Sequence, residues 1–355
     1  MKTNHKNFIK LAFNQAENNL GKTYLNPSVG CVLVKDDAVI SSGFTSKNGR
    51  PHAEYNVLKK QKILNNMNLY VTMEPCTHLG LTPPCTDLII KKKVRRVYFS
   101  FYDIDKRTAK KAKKKLNSNK IKVFQKLDNN YKDFYQSYFI SKRKLIPMID
   151  AKIAVSKDLY TMDKRKKWIT NFHSRKRAHL LRSQYDAILS TSKSINKDNS
   201  MLNCRLDGFD KNKPDLIIID LKLKLKKKLK LFKNIYKRKI FIVTKEKSGS
   251  KISYLKSLGI KIIYVNSLET KDDFKLLLTT LRKLNYSRIL AETGLIFLNT
   301  LLLKKLISNL YIFKTSFKLG KNGKNNASNK LLKKFRLRIP IKVNLKSDKI
   351  YRIKV

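Results

Sequence analysis

"EPCTHLGLTPPC", residues 74–85, sets two cysteines nine positions apart in a segment rich in Pro, Gly and Thr. Four cysteines in 355 residues are too few for a disulfide scaffold. In a reducing compartment a spaced pair more often binds metal or does redox chemistry. Cys31 and Cys204 stand alone beside apolar residues and read as buried structural thiols. The partner ligands of Cys76 and Cys85 therefore decide how the first half of the chain is read.

A catalytic Zn²⁺ site wants three protein ligands and one open position, and thiolate and imidazole are suitable donors. Upstream, "PHAE" offers His52 at the start of a predicted helix. Cys76 follows a predicted strand, and Cys85 opens the next helix, whose N-terminal dipole favours a thiolate. Two adjacent helix starts can face one point, so His52, Cys76 and Cys85 can converge. Glu54, two residues from His52, can take a proton from water and hand it to a leaving amine. His-x-Glu followed by Pro-Cys and a second Cys is the pattern of zinc nucleobase deaminases. His-Ala-Glu alone carries little weight; the combination carries much.

Working outward, Phe8, Leu11, Ala12, Ala16 and Leu20 space a helix over 6–20, with Gly21 as its stop. "SVGCVLVKDDAVISSGF" reads as a hairpin turning at Lys35-Asp36-Asp37. A helix at 52–61, a strand at 68–74, a helix at 85–93 and a strand at 94–101 follow. A further helix at 108–116 and a strand at 120–125 complete a layered α/β domain with parallel strands at its end. The basic run "SKRKLIP", 141–147, reads as a boundary, giving domains 1–145 and 146–355. Beyond it, "MIDAKIAVS", a helix near 174–184, and the apolar runs "DAILS", "DLIIID", "KIFIVT", "IKIIYV" and "RILAE" predict a second α/β domain. "LKLKLKKKLKLFK", 221–233, reads as a half-exposed basic strand or as an amphipathic surface helix.

The formal charge of +55 comes from 80 Lys and Arg against 25 Asp and Glu. Lysine spread evenly along a chain rich in Asn and Ile is the mark of A/T-rich codons; a selected polyanion surface is the other reading. Either way the field attracts phosphorylated small molecules. The first twenty residues are polar, and no run of about 18 apolar residues occurs anywhere, so a soluble cytoplasmic protein without a membrane partner is expected.

In most base deaminases the two cysteines stand two residues apart, whereas here eight residues separate them. This long loop, with "NPSVGCVLVK" and "HAE" upstream, resembles the deaminase half of the bifunctional riboflavin-biosynthesis proteins of bacteria, the RibD family. The resemblance implies a cytidine-deaminase-like three-layer α/β/α fold and hydrolysis of the 2-amino group of a diaminopyrimidinone carrying a ribosylamino 5′-phosphate. It implies that His52, Cys76 and Cys85 bind Zn²⁺, that Glu54 shuttles protons, and that Asn26, His78, Thr82 and Asp103 meet the substrate. Read alone, Asn26-Pro27 is a turn, and His78 and Thr82 are turn residues. Three positions depart from the pattern near the sugar-phosphate side: Thr45 for histidine, Leu81 for a basic residue and Asp105 for asparagine.

No G-x-G-x-x-G follows a predicted strand, which speaks against a Rossmann site. The second half instead resembles the family's reductase, with a dihydrofolate-reductase-like fold, through "AKIAVSKD", "WIT", "LLR", "DNSMLNCR" and "AETG". The resemblance implies hydride transfer from NADPH to the sugar carbon bearing the amine. Lys152, Arg182, Asp198, Leu202, Arg205 and Glu292 would contact substrate, and Trp168, Thr170 and Gly294 the cofactor. Taken singly, Arg182 and Arg205 read as solvated charges and Trp168 as packing. This half departs further: Leu159 and Thr293 stand where the pattern has glycines, and Asn199-Ser200 replace Asp-Pro. A Cβ at 293 enters space a cofactor phosphate would approach.

The expectation is a zinc deaminase followed by an NADPH reductase, acting on a phosphorylated pyrimidine as a homodimer or homotetramer, with no specific nucleic-acid partner. A deaminase whose second half is only a scaffold is the alternative. An RNA-binding base deaminase is disfavoured by the long inter-cysteine loop and by the second-half motifs.

Overall fold

The computed structural model describes residues 4–209 and 214–355. The polypeptide divides into two compact units, Met1–Leu145 and Ile146–Val355. In the first, α1 (His5–Glu17), β1 (Gly30–Lys35), β2 (Ala38–Phe44), α2 (Ala53–Leu58), β3 (Asn68–Met73), α3 (Cys85–Lys91), β4 (Arg96–Phe101), α4 (Ala112–Asn117), β5 (Lys122–Gln125) and α5 (Gln136–Lys144) follow in order. The sheet runs β2-β1-β3-β4-β5. β1 is antiparallel to both its neighbours, and β3, β4 and β5 are parallel. Asp36 and Asp37 both adopt positive φ, 45° and 60°, the pair of left-handed residues that closes a two-residue hairpin with the right twist.

Alternation along β1 assigns its faces. A Cβ on Gly30 would collide with the carbonyl of Ala12, so α1 lies directly on that face of the sheet. Gly43, paired with Cys31, borders Val57 of α2 on the other face. Helices thus cover both faces of a strand buried from Gly30 to Val34, and Cys31 is a packed core thiol. This three-layer arrangement brings the starts of α2 and α3 to the same end of the sheet, which places the site.

One reading needs correction here. The helix expected from 108 begins only at Ala112, because the backbone N–H groups of Lys110 and Ala112 donate to the Glu74 carboxylate at 2.9 and 3.0 Å and Lys110 takes a φ of 61°. The division between the two units falls inside the basic run at 141–147, after Leu145. Residues through Lys144 form the last turn of α5, where Lys142, Arg143 and Lys144 complement the helix dipole before Leu145 turns left-handed.

The second unit contains β6 (Met148–Val155), β7 (Met162–Asp163), α6 (Phe172–Arg182), β8 (Ala187–Thr191), α7 (Ser192–Asp198), β9 (Asp215–Ile219), β10 (Ile240–Thr244), α8 (Ser250–Ser257) and β11 (Lys261–Tyr264). It continues with α9 (Lys271–Lys283), β12 (Arg288–Ala291), α10 (Leu295–Leu303), β13 (Asn309–Lys314), β14 (Gly323–Lys324), α11 (Lys330–Lys333) and β15 (Lys349–Lys354). Its main sheet runs β11-β10-β9-β8-β12-β6-β13-β15, parallel except for the last pair. Odd and even residues of each strand enter two different apolar clusters: Ile217 and Ile219 pack in one, Leu216 and Ile218 in the other. The continuous apolar strands are therefore buried on both faces. β13 and β15 were not anticipated, although β15 alternates apolar and polar residues.

Residues 221–229 form neither a strand nor an amphipathic helix. The Asp220 carboxylate accepts from the N–H groups of Lys224 and Leu225, both at 2.8 Å, and this curls the chain. Leu225, Leu229 and Leu231 then enter the second apolar cluster while the lysines remain at the surface. Among the described residues no helix is long and apolar enough to cross a membrane.

Candidate active site

His52 immediately precedes α2, Cys76 follows β3 in the long loop, and Cys85 is the first residue of α3. Nδ1 of His52 lies 3.6 Å from Sγ of Cys76 and 3.4 Å from Sγ of Cys85. The three donor atoms fall within 4.8 Å of one another. The backbone N–H of Cys85 donates to Sγ of Cys76 at 3.2 Å; the Cys85 thiol first, then the His52 imidazole and this N–H, push the Cys76 thiol well below the usual thiol range. Two sulfurs and one imidazole nitrogen around a common point form a donor set that fits Zn²⁺ and leaves a fourth position open.

Glu54 sits on the first turn of α2 and is 3% exposed, its carboxyl directed at the same sulfurs. Burial, more than any neighbouring charge, pushes its pKa up to about 7. An open cleft lies over this group, lined by Asn26, His78, Thr82 and Asp103 as well as by His52, Glu54 and Cys76. Asn26 donates to the carbonyl of Gly49 at 3.1 Å, His78 pairs with Thr108 at 2.9 Å, and Asp103 accepts from Tyr138 at 2.7 Å. The expected first-half residues are thus brought together around one cavity.

The departures take distinct places. Thr45 lines the cleft but is buried, its hydroxyl accepting from Val29 N–H at 3.0 Å. Leu81 is 87% exposed and does not line the cleft. Asp105 does line it, and Arg107 and then Lys142 hold its carboxyl well below the usual carboxylate range. Sequence reasoning missed Arg50, Arg107 and Lys142 at the rim and Glu74 beneath it. One arginine among 80 Lys and Arg carries no local signal, and Glu74 acts on amides more than thirty residues away.

In the second unit Arg182 meets Glu292 through Nε on Oε1 and Nη2 on Oε2, the latter at 2.9 Å, and Nζ of Lys152 lies 3.5 Å from Oε2. Burial alone would raise the pKa of Glu292, but Arg182 and Lys152 outweigh it and hold it at about 2. Arg182 is therefore not a solvated charge. Arg205 donates to the side-chain oxygen of Asn203 at 2.7 Å, and the Asn203 carbonyl accepts from Arg182 at 3.2 Å and pairs with His179 at 2.9 Å. Burial and the two arginines push His179 down to about 4. Asp198 is exposed at the end of α7, within electrostatic reach of Lys152. Leu202 does not present its side chain to this cluster: it is buried in the second apolar cluster.

Trp168 is 56% exposed, with Arg175 and Lys167 each 5.4 Å from its ring, so it is not core packing. Thr170 gives its carbonyl to Arg175 at 2.7 Å. Gly294 precedes α10 and makes no side-chain cap there, and its own N–H donates to the hydroxyl of Ser194 at 3.1 Å. A Cβ on Gly294 would stand 2.8 Å from Nδ2 of Asn326. Thr293 adopts no left-handed φ and donates to the Gly294 carbonyl at 3.2 Å, so the turn forms without a glycine there. Leu159, by contrast, keeps the left-handed φ of 64° that a glycine would take without strain.

Residues 2–101 match the cytidine and deoxycytidylate deaminase zinc-binding region, and residues 147–354 match the RibD C-terminal domain. The riboflavin biosynthesis protein RibD of Aquifex aeolicus is 32% identical over 293 residues, which cover 81% of this chain and 80% of that protein. That of Chlamydia trachomatis is 32% identical over 275 residues, 76% of this chain and 73% of that one. Among solved structures, Acinetobacter baumannii RibD aligns with a TM-score of 0.81 at 26% identity, over 99% of this chain and 98% of that one. A diaminohydroxyphosphoribosylaminopyrimidine deaminase/5-amino-6-(5-phosphoribosylamino)uracil reductase from Thermotoga maritima gives 0.81 at 25%, with the same coverage.

Fold and site together define a class, a zinc-dependent deaminase continued into a reductase within one chain. The chain belongs to the RibD family of riboflavin biosynthesis proteins. It is a bifunctional enzyme with Zn²⁺ and NADPH as cofactors.

Proposed function

We propose that the first unit deaminates 2,5-diamino-6-ribosylamino-4(3H)-pyrimidinone 5′-phosphate and that the second reduces the ribosyl side chain of the product to ribityl with NADPH. The observation that carries the first step is the convergence of His52 Nδ1 and the two sulfurs beside the buried carboxylate of Glu54. His52, Cys76 and Cys85 would hold Zn²⁺, which when bound supplies a Lewis acid that polarises water. Glu54 takes the proton from that water and passes it to the departing amine. Asn26, His78, Thr82 and Asp103 orient the pyrimidine in the cleft.

For the second step, Lys152, Arg182, Asp198, Arg205 and Glu292 would bind the substrate. Trp168, Thr170 and the α10 start at Gly294 would hold NADPH so that its hydride faces the opened sugar. The assembled Lys152–Glu292–Arg182 group favours an active reductase over a scaffold. Homo-oligomerisation without nucleic acid belongs to the same proposal, and sedimentation with and without RNA tests it.

A paired assay tests both activities: ammonia release from the diaminopyrimidinone phosphate, and NADPH oxidation with the deaminated product supplied separately. Both are expected. Ammonia without NADPH oxidation would reduce the second unit to a scaffold, and neither activity with zinc bound would overturn the substrate assignment.

A further inference from the structure

Three cationic side chains line the cleft above His52 and Cys76: Arg50, Arg107 and Lys142. Two of them already share a carboxylate. Nη2 of Arg107 and Nζ of Lys142 lie 2.7 and 3.1 Å from the same oxygen of Asp105. Among the described residues Arg50 pairs with no carboxylate; its Nη1 donates to Oγ1 of Thr82 at 3.0 Å and stands 3.4 Å from Nε2 of His52.

The second of these contacts is not available once metal is bound. Nδ1 of His52 faces both sulfurs, so its lone pair is the one a metal takes, and Nε2 then carries the ring proton. A protonated Nε2 cannot accept from a guanidinium. Arg50 is left with one neutral acceptor and most of its N–H donors unused. Gly80 of the inter-cysteine loop packs beside it, since a Cβ there would stand 3.9 Å from Nη2 of Arg50, and both residues line the cleft. Leu81, on the same loop, brings no competing charge and lies outside the cleft lining. Arg50 also directly follows Gly49, whose carbonyl accepts from Asn26 at 3.1 Å, so one turn ties it to another residue of the cleft lining.

We propose that Arg50 is the phosphate-recognition residue of the deaminase site and makes that site select phosphorylated pyrimidines over the same compounds without phosphate. The inference rests on the deaminase reading above and deepens it. A planar guanidinium can bind two phosphate oxygens in parallel, and its charge in a partly buried cleft is screened less than the lysines of the surface.

The experiment uses the zinc-loaded full chain as wild type, Arg50→Ala, Arg50→Lys and Arg107→Ala, with phosphorylated and dephosphorylated substrate. Arg50→Ala is expected to raise KM for the phosphorylated substrate roughly 10- to 100-fold, to change kcat far less, and to erase the preference for phosphate. Zinc content should stay at the wild-type level, Arg50→Lys should restore part of the preference, and Arg107→Ala should disturb it less. Equal loss on both substrates, or no loss, would overturn the proposal and leave Arg50 a structural partner of Thr82. Titration with ribose 5-phosphate reads the same contact without turnover: weaker binding by Arg50→Ala than by wild type supports it, and unchanged binding overturns it. Wild type that binds the sugar phosphate but releases no ammonia would sink the deaminase assignment and not the role of Arg50.

Discussion

Arg182 grips Glu292 in a two-point contact inside the second unit, Nη2 meeting Oε2 at 2.9 Å, and Lys152 shares that oxygen at 3.5 Å. Removing the shared anion strands two buried cations. Glu292→Ala is expected to destabilise this unit by about 3–5 kcal/mol, measured by urea unfolding followed through the single Trp168.

The same group sets an acid sensitivity. The carboxyl of Glu292 has its folded pKa depressed to about 2 from 4.5, so its contribution is present above about 4.5 and is lost as pH falls through about 2. The linked contribution is on the order of 3 kcal/mol. Unfolding free energies of wild type and Glu292→Gln should converge as the pH is lowered from 5 towards 2. A constant gap would assign the stabilisation to packing.

Glu54 is buried, and Gln has the same shape. Glu54→Gln is expected to keep zinc while losing roughly 10²- to 10⁴-fold in deamination. Metal content and ammonia release on the same sample check this, and full activity would remove Glu54 from the proton path.

All three donors of the metal group lie in the first unit. Chelation, or Cys85→Ala, should abolish zinc binding and ammonia release while NADPH oxidation on deaminated product continues. Loss of both activities would mean that the metal also supports the second unit.

Gly294 needs no special φ, but a Cβ there would crowd Nδ2 of Asn326 at 2.8 Å. The end of an Asn side chain yields easily. Gly294→Ala should therefore leave thermal stability near wild type, raise KM for NADPH several-fold and spare deamination; an unchanged KM would move the cofactor phosphates away from the start of α10.

The amino-acid sequence by itself determined the metal group and most of the strands. His-x-Glu, Pro-Cys and the second Cys are local patterns whose chemistry survives without coordinates, and buried strands such as "DLIIID" declare themselves by composition. What tertiary structure decided is partnership. The leucines of 221–233 go inward because the Asp220 carboxylate captures two amides. The helix expected from Thr108 is delayed because Glu74 draws on the amides of Lys110 and Ala112. Arg182 becomes a buried clamp and Arg50 an unmatched cation, though both look alike among 80 basic residues. Periodicity and spacing record what a residue prefers locally, whereas the role of a charge depends on which opposite charge the fold brings within a few ångströms, and that is set by contacts distant in the chain.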